Sequence, residues 1–212
     1  AEAGDSYASI DRLTESLDVL RSQQERYREE VKQDYIAEKE TEDPDFSYEE
    51  RRDDPVVEQR VNQRVVDFLV LEGQTYYYIA LKQSSDDVSN ARQSAARAEQ
   101  LFSDALKALA ARGQVPGFQA MRARLNLART KLLLGKASEA INELRDLADD
   151  TYEYNALREY WATYRTLGDA FASQKNHTEA ARNYDKSLSI LKEFPDLRDR
   201  VSSRLPDYFE RL

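Results

Sequence analysis

Few side chains of this sequence are able to perform covalent or metal chemistry. Its 212 residues include no cysteine and one histidine, His177. Thiolate nucleophiles, disulfides and iron–sulfur clusters are therefore excluded, and one imidazole does not supply the two or three nitrogen or sulfur ligands of a typical catalytic zinc. Because His177 lies at a turn between two predicted helices, with no orienting partner near it in sequence, it is interpreted as a surface residue rather than a general base.

Two short motifs resemble ligand-binding loops but lack residues that those loops need. Residues 134–138 (LGKAS) resemble the end of a phosphate-binding loop, yet Thr130 stands where that loop requires a glycine, and no strand is predicted before it. Residues 43–54 begin like a calcium loop, but Tyr48 replaces the glycine at position six. We therefore expect no nucleotide, no metal, no cofactor and no enzymatic activity.

Charge is distributed unevenly along the chain, whose formal net charge is -9. Residues 1–60 hold 19 acids and 9 bases, whereas residues 105–138 hold seven bases and no acid. Within the basic stretch, Arg122, Asn126 and Arg129 recur at steps of four and three and so share one face of a helix. Guanidinium groups bind carboxylates in a bidentate manner and asparagine supplies amide donors, so this face suits a carboxylate or an acidic peptide.

Two other interpretations of the basic stretch remain open. It is either a solvated face without a ligand, or the surface on which the chain's own acidic segment 38–58 lies. Seven bases on an acidic chain, without a recognition motif, predict no nucleic-acid binding. No run of about 18 apolar residues occurs, so no membrane span is predicted.

The apolar residues predict an all-α protein. A narrow seam (Ile10, Leu13, Leu17, Leu20, Tyr27 and Val31) marks a long N-terminal helix over residues 1–37, which suits either docking on a larger body or self-association through residues 10–35. An acidic linker is predicted over 38–55 and a helical domain over 56–212. The helices predicted in that domain span 56–82, 89–113, 118–134, 137–149, 154–174, 177–193 and a last one from 196, which Pro206 should break. Ser89 and Thr178 are the predicted N-caps of two of them.

Two helix pairs align with one another at an offset of 40 residues. Leu127-Ala128, Gly135, Ala140 and Leu144 align with Leu167-Gly168, Lys175, Ala180 and Tyr184. In each unit a small residue on the first helix precedes a small residue on the second by 12 positions, and a large residue follows four positions later. Antiparallel helices pack closely where small side chains meet. A third, more divergent pair is predicted in 56–112, where Ala98, Phe102 and Ala105 resemble the second-helix pattern. Its Gly73 lies 25 residues before Ala98, so this pair departs clearly from the motif.

This pattern resembles the tetratricopeptide repeat (TPR). Its order of aromatic, Leu-Gly, aromatic, alanine, aromatic and small residue is matched by Tyr164, Leu167-Gly168, Phe171, Ala180, Tyr184 and Ser187. The preceding unit departs from the pattern, because Arg124 and Lys131 stand at the two aromatic positions of its first helix. The usual period is about 34 residues, so an offset of 40 implies longer helices or longer connections.

The resemblance implies an antiparallel helix-pair solenoid of about three pairs, with a C-terminal capping helix. In that family the first helix of each repeat lines a concave groove. The groove-lining positions fall here on five residues, namely Arg122, Asn126, Arg129, Arg165 and Asp169.

The function implied is that of a non-enzymatic scaffold, which binds another protein's extended or helical segment, acidic or ending in a carboxylate, in this groove. The alternative is an assembly component that self-associates through the N-terminal helix. A start at Ala1 without a methionine, and the absence of cysteine, favour an extracytoplasmic compartment such as the bacterial periplasm, although trimming explains the first observation equally well.

Overall fold

The computed structural model describes residues 2–42, 55–84, 87–111, 113 and 117–202. In these ranges the chain forms α-helices joined by turns, without a β-strand, which confirms the all-α prediction. The described residues form eight helices, which are α1 (Glu2–Glu42), α2 (Pro55–Gln83), α3 (Val88–Ala110), α4 (Phe118–Leu133), α5 (Ala137–Glu153), α6 (Leu157–Ser173), α7 (His177–Glu193) and α8 (Pro195–Ser202). The calcium-like residues 43–54 and the predicted break at Pro206 lie outside the described residues.

Two predicted N-caps are wrong by two residues. Asp87 caps α3, and its side chain accepts a hydrogen bond from the backbone N–H of Asn90, so the predicted cap Ser89 lies inside the helix. Asn176 caps α7 in the same way, in place of the predicted Thr178. The cap must precede the helix for its side-chain oxygen to reach an N–H of the first turn, and Asp and Asn compete well for that place.

The turns of the C-terminal half repeat every 20 residues. Helices α5, α6 and α7 each contain 17 residues. The turns before them contain Gly135, Asn155 and Lys175, which have positive φ angles of 75°, 52° and 60°. In each turn the next residue donates its N–H to a carbonyl five residues earlier, which is the usual C-terminal bond of a helix that ends in a left-handed residue. Long helices joined by three-residue turns thus explain the offset of 40.

The chain divides into two compact units, residues 1–113 and 114–212. In the first unit α1 lies antiparallel against α2, with Tyr35 and Val65 in one apolar cluster. Arg21 donates to Glu72 from Nε at 3.3 Å and from Nη2 at 3.1 Å, and Nη2 also donates to the hydroxyl of Tyr76. Helix α1 therefore belongs with the first helix pair, and it continues to Glu42, past the predicted start of a linker at residue 38.

The α2–α3 pair is closely packed around a glycine. A Cβ atom placed on Gly73 would lie 2.8 Å from Cε1 of Phe102, and Phe102 is fully buried. Gln83 accepts a hydrogen bond from the hydroxyl of Ser94 near the turn, so the two helices run antiparallel. The aromatic ring can occupy its place only because residue 73 has no side chain.

The second unit repeats this contact. In the α6–α7 pair the ring of Tyr184 lies against Gly168, so close that a Cβ atom at position 168 would overlap the ring. In the α4–α5 pair, Ala128 and Leu144 stand at the corresponding positions and are both fully buried in one core. The core also contains residues of α6 and α7, and α6 contacts α4, α5 and α7. Helix α8 contacts α7 and buries Leu197 beside Tyr160 and Ile190.

We predict that Gly73→Ala lowers the free energy of unfolding by up to about 2 kcal/mol, as measured by urea denaturation. Alanine favours a helix over glycine by about 1 kcal/mol, but overpacking against a fully buried ring costs about 1–3 kcal/mol. Gly168→Ala is expected to cost less, because Tyr184 is only partly buried and its ring has room to move.

The control is the double variant Gly73→Ala/Phe102→Leu, in which the ring atoms nearest to the added methyl group are gone. It should be less destabilised than the two single effects added together. If Gly73→Ala stabilised the protein, helix propensity alone would govern this position and the close contact would not exist.

Candidate functional site

Helices α4 and α6 lie side by side and carry the five predicted site residues. Two side-chain contacts between them show their relative direction. Nε of Arg122 lies 4.0 Å from Oε1 of Glu159, and Nε of Arg129 donates to Oγ1 of Thr166 at 3.4 Å. Both contacts join residues 37 apart, so the two helices run parallel. We call this surface the α4–α6 face, after Arg122, Asn126 and Arg129 of α4 and Arg165 and Asp169 of α6.

Asn126 occupies the middle of the α4 row. Its side chain is 8% exposed, and its Nδ2 atom has no hydrogen-bond partner. Among the buried side-chain nitrogen and oxygen atoms of the part of the chain that the structure describes, this is the one without a partner. A buried donor without an acceptor costs about 1–3 kcal/mol, so the position of Asn126 is not explained by packing alone.

The two predicted residues of α6 have partners on α6 and α7. The guanidinium of Arg165 lies 5.8 Å from the ring centroid of Trp161, one turn earlier. Asp169 is exposed and accepts a hydrogen bond of 2.8 Å from the hydroxyl of Tyr184. Burial and the neighbouring Asp169 carboxylate raise the pKa of Tyr184 to about 12, and the Arg165 charge opposes them only in part. Tyr184, which already packs on Gly168, therefore fixes the carboxylate of Asp169.

The basic stretch is largely neutralised within each unit. Arg124, which stands where the tetratricopeptide pattern has its first aromatic residue, pairs with both Glu143 and Asp150 of α5, and its side chain is 14% exposed. Burial alone would lower the pKa of Arg124, but its hydrogen bonds to the two carboxylates outweigh burial and raise it. Lys131, at the second aromatic position, lies 3.5 Å from Glu139. Arg124 and Lys131 thus stand at positions where the repeat pattern has aromatic residues, and acids of α5 neutralise their charges.

Other bases of the stretch have partners too. Lys107 lies 3.0 Å from Asp104, one turn earlier on α3. Arg112 is outside the described residues, as is most of the acidic segment 38–58, so the hypothesis that this segment lies on the basic stretch stays a prediction. On the α4–α6 face, Arg122 is 56% exposed and Arg129 is half-buried. These two cations flank Asn126 on either side along the helix.

The aromatic residues near the start of α6 serve mainly the core. Tyr160 is buried, and its ring meets that of Tyr164 edge-on, with centroids 5.1 Å apart. Trp161 is partly buried and packs against both clusters of the second unit. Tyr152 and Tyr154 are exposed, near the end of α5, and are not among the residues that join α4 to α6.

Sequence reasoning missed the residues that join α4 to α6, Glu159 and Thr166. The signal that could have identified them is their shared spacing, because each follows an arginine of α4 by 37 residues. That spacing is informative only once two parallel helices are known to be neighbours. In the described part of the chain, no three His, Asp or Glu side chains form a possible metal site. None of the described helices is both long and apolar enough to cross a membrane.

We predict that Asn126→Leu raises the free energy of unfolding by about 1 kcal/mol, because it removes a buried donor that has no acceptor. The matched control is Asn183→Leu. Asn183 is also 8% exposed, but its Nδ2 donates to the carbonyl of Glu179 at 2.8 Å.

The Asn183→Leu variant lacks this hydrogen bond, so we expect its free energy of unfolding to be about 1 kcal/mol lower than that of the unmodified protein. Urea denaturation of both variants measures the contrast. Equal destabilisation of the two would show that Asn126 has an acceptor in the free protein.

No protein-family model matches the chain, and no curated protein compared with it is similar enough to match. What the protein does has therefore to be inferred from the α4–α6 face itself.

Proposed function

We propose that the protein is a non-enzymatic interaction scaffold of the TPR type, whose stacked helix pairs bind a segment of a partner protein on the α4–α6 face. The support for a TPR-like solenoid is the repeated contact of a small residue with a large one between paired helices. Two further observations support this arrangement. The turns recur every 20 residues, and α4 and α6 lie side by side. The full arrangement of about three pairs with α8 as a cap remains part of the proposal.

The observation that carries the proposal is the unpartnered amide of Asn126. A buried donor without an acceptor destabilises the free protein. A ligand that supplies the acceptor removes this destabilisation, and the free energy so gained contributes to the affinity. Such a group is retained at the expense of folding stability, which is typical of residues that act in function.

The charges around Asn126 favour an acidic ligand. Arg122 is mostly exposed, and its contact with Glu159 is long, so its guanidinium has donors left for a second carboxylate. Arg129 is held on α6 by a long hydrogen bond to a hydroxyl, which is a weaker partner than a carboxylate. A partner segment with carboxylates, in side chains or at its C-terminus, would be steered to the face and bound there.

We predict that Arg122→Glu with Arg129→Glu abolishes recovery of at least one partner when the immobilised protein captures proteins from cells of its source. The reversal puts two carboxylates beside Asn126 and repels an acidic segment.

The matched control is Arg182→Glu with Lys192→Glu, which makes the same charge change on the exposed side of α7. The control should recover the same partners as the unmodified protein. Recovery of every partner by the face variant would contradict a binding role of the α4–α6 face.

Self-association through residues 10–35 stays a prediction. In the described structure Leu17 is buried, and Val31 packs on the cluster of Tyr35 and Val65. The same seam would have to leave α2 before it could join a second copy.

A further inference from the structure

We propose that the C-terminal end of α5 is a second interaction surface, which binds an arginine-containing basic segment of a partner protein. We call this surface the Tyr152 patch, after Tyr152 and the acids Asp146, Asp149 and Glu153 beside it. None of its residues belongs to the α4–α6 face, and its ligand has the opposite charge. Three observations carry the proposal: an exposed aromatic ring, unpaired acids next to it, and the position of these acids at the negative end of a helix.

The ring of Tyr152 lies at the surface end of a row of tyrosines. Tyr152 is 73% exposed, the highest fraction among the large apolar side chains that the structure describes. One side of its ring packs against buried Tyr160, with ring centroids 5.6 Å apart. Tyr160 meets Tyr164 edge-on, and Nζ of Lys186 lies 5.9 Å from the centroid of the Tyr164 ring. The inner end of the row thus has a cation of the chain itself.

Cations of the chain also lie over other rings of this unit. The guanidinium of Arg145 lies 5.7 Å from the ring centroid of Phe171, and that of Arg165 lies 5.8 Å from that of Trp161. Such cations are attracted by the negative face of the aromatic ring. In the part of the chain that the structure describes, no basic side chain lies over Tyr152. Its outer face therefore suits a cation that a partner supplies.

Three acids share the exposed face of α5 next to Tyr152. Asp146, Asp149 and Glu153 recur at steps of three and four, and all three are exposed. Among the described residues, no basic side chain lies within ion-pair distance of any of them. By contrast, two acids on the neighbouring side of the same helix are both bound to Arg124. The carboxylates next to Tyr152 therefore remain for a basic ligand.

These acids lie at an unfavourable end of the helix. The C-terminal end of a helix carries a partial negative charge, which favours bases in the last turn and disfavours acids. Helices α3, α4 and α7 each have a lysine in the last turn, whereas α5 has no base there and ends with Glu153. A bound cation would relieve this repulsion. Sequences depart from such local rules chiefly at functional sites.

Arginine fits the Tyr152 patch better than lysine does. Its planar guanidinium stacks on an aromatic ring while its N–H groups donate to a carboxylate, and it is more weakly hydrated than an ammonium group. Asp149 and Tyr152 are three residues apart on one helix and are therefore neighbours on its surface. One guanidinium is able to contact both of them. The ring thus predicts a preference for arginine, and the three acids predict a segment with more than one base.

The test uses fluorescence anisotropy with the full chain and labelled glycine–serine peptides whose ends are acetylated and amidated. The first peptide has arginines at positions i and i+2, about 6.6 Å apart in an extended chain, which matches the rise of about 6 Å between Asp149 and Glu153. The second has lysines at the same positions, and the third has glutamines. The variants are Tyr152→Leu and Asp146→Asn with Asp149→Asn. The matched control is Asp11→Asn with Asp18→Asn, which makes the same charge change on exposed residues of α1.

We expect the arginine peptide to bind about fivefold more tightly than the lysine peptide, and the glutamine peptide not to bind. Tyr152→Leu should lower the affinity for the arginine peptide to that for the lysine peptide, because the ring alone distinguishes the two. Asp146→Asn with Asp149→Asn should weaken the binding of both basic peptides, whereas the α1 control should leave both affinities unchanged.

Equal affinity of the arginine and lysine peptides would overturn the proposal, and so would a preference for arginine that survives Tyr152→Leu. Equal weakening by the α1 control would also overturn it, because binding would then reflect the net charge of the chain and not the Tyr152 patch. Absence of binding by both basic peptides has the same consequence. None of these outcomes affects the proposed function of the α4–α6 face, which the recovery of cellular partners by its charge-reversed variant tests separately.

Discussion

The close approach of paired helices depends on one kind of contact, in which a large side chain of the second helix fills the space left by a small residue of the first. Phe102 lies against Gly73 and Tyr184 against Gly168, and a methyl group at either glycine would overlap the ring. In α4–α5 the same positions hold Ala128 and Leu144, both fully buried. The contact fixes both the distance between paired helices and their register, because a small residue accepts the large one at a single height along the helix.

In the second unit the position of the α4–α6 face follows from this register. Once α5 is held against α4 and α7 against α6, the packing of α6 on α5 brings α4 and α6 together in parallel. The contacts of Arg122 with Glu159 and of Arg129 with Thr166 then form at equal spacing. Tyr184 has two roles, because its ring packs on Gly168 while its hydroxyl holds Asp169 at the edge of the face. Bases that point away from α6, such as Arg124 and Lys131, are neutralised by α5. The positive charges on that side of α4 are thus paired with acids of α5. Among the described residues, the buried side-chain atom that lacks a hydrogen-bond partner is Nδ2 of Asn126.

The all-α architecture was predictable because its determinants are local. Helix periodicity and the spacing of small and large residues are properties of short segments, and they indicated the helices after the linker and the offset of 40. The N-caps were missed because Asp87 and Asn176 compete with nearby serine and threonine for the same backbone N–H groups, and which residue wins depends on where the helix begins. The site was only partly predictable. The row of Arg122, Asn126 and Arg129 followed from helical spacing, but their partners on α6 lie 37 residues away and depend on which helices are neighbours. That Asn126 lacks an acceptor is a three-dimensional property, which no local pattern contains.

The proposed function requires that the Asn126 amide, which lacks an acceptor in the free protein, gains one from the bound partner segment. Nuclear magnetic resonance of the ¹⁵N-labelled protein tests it directly, with the Asn126 side-chain amide signals assigned through their loss in Asn126→Leu. On addition of an acidic peptide that binds to the α4–α6 face, we predict that these signals move downfield and that their exchange with water slows, as expected for a donor that acquires an acceptor. Unchanged Asn126 amide signals in a protein saturated with that peptide would contradict the claim.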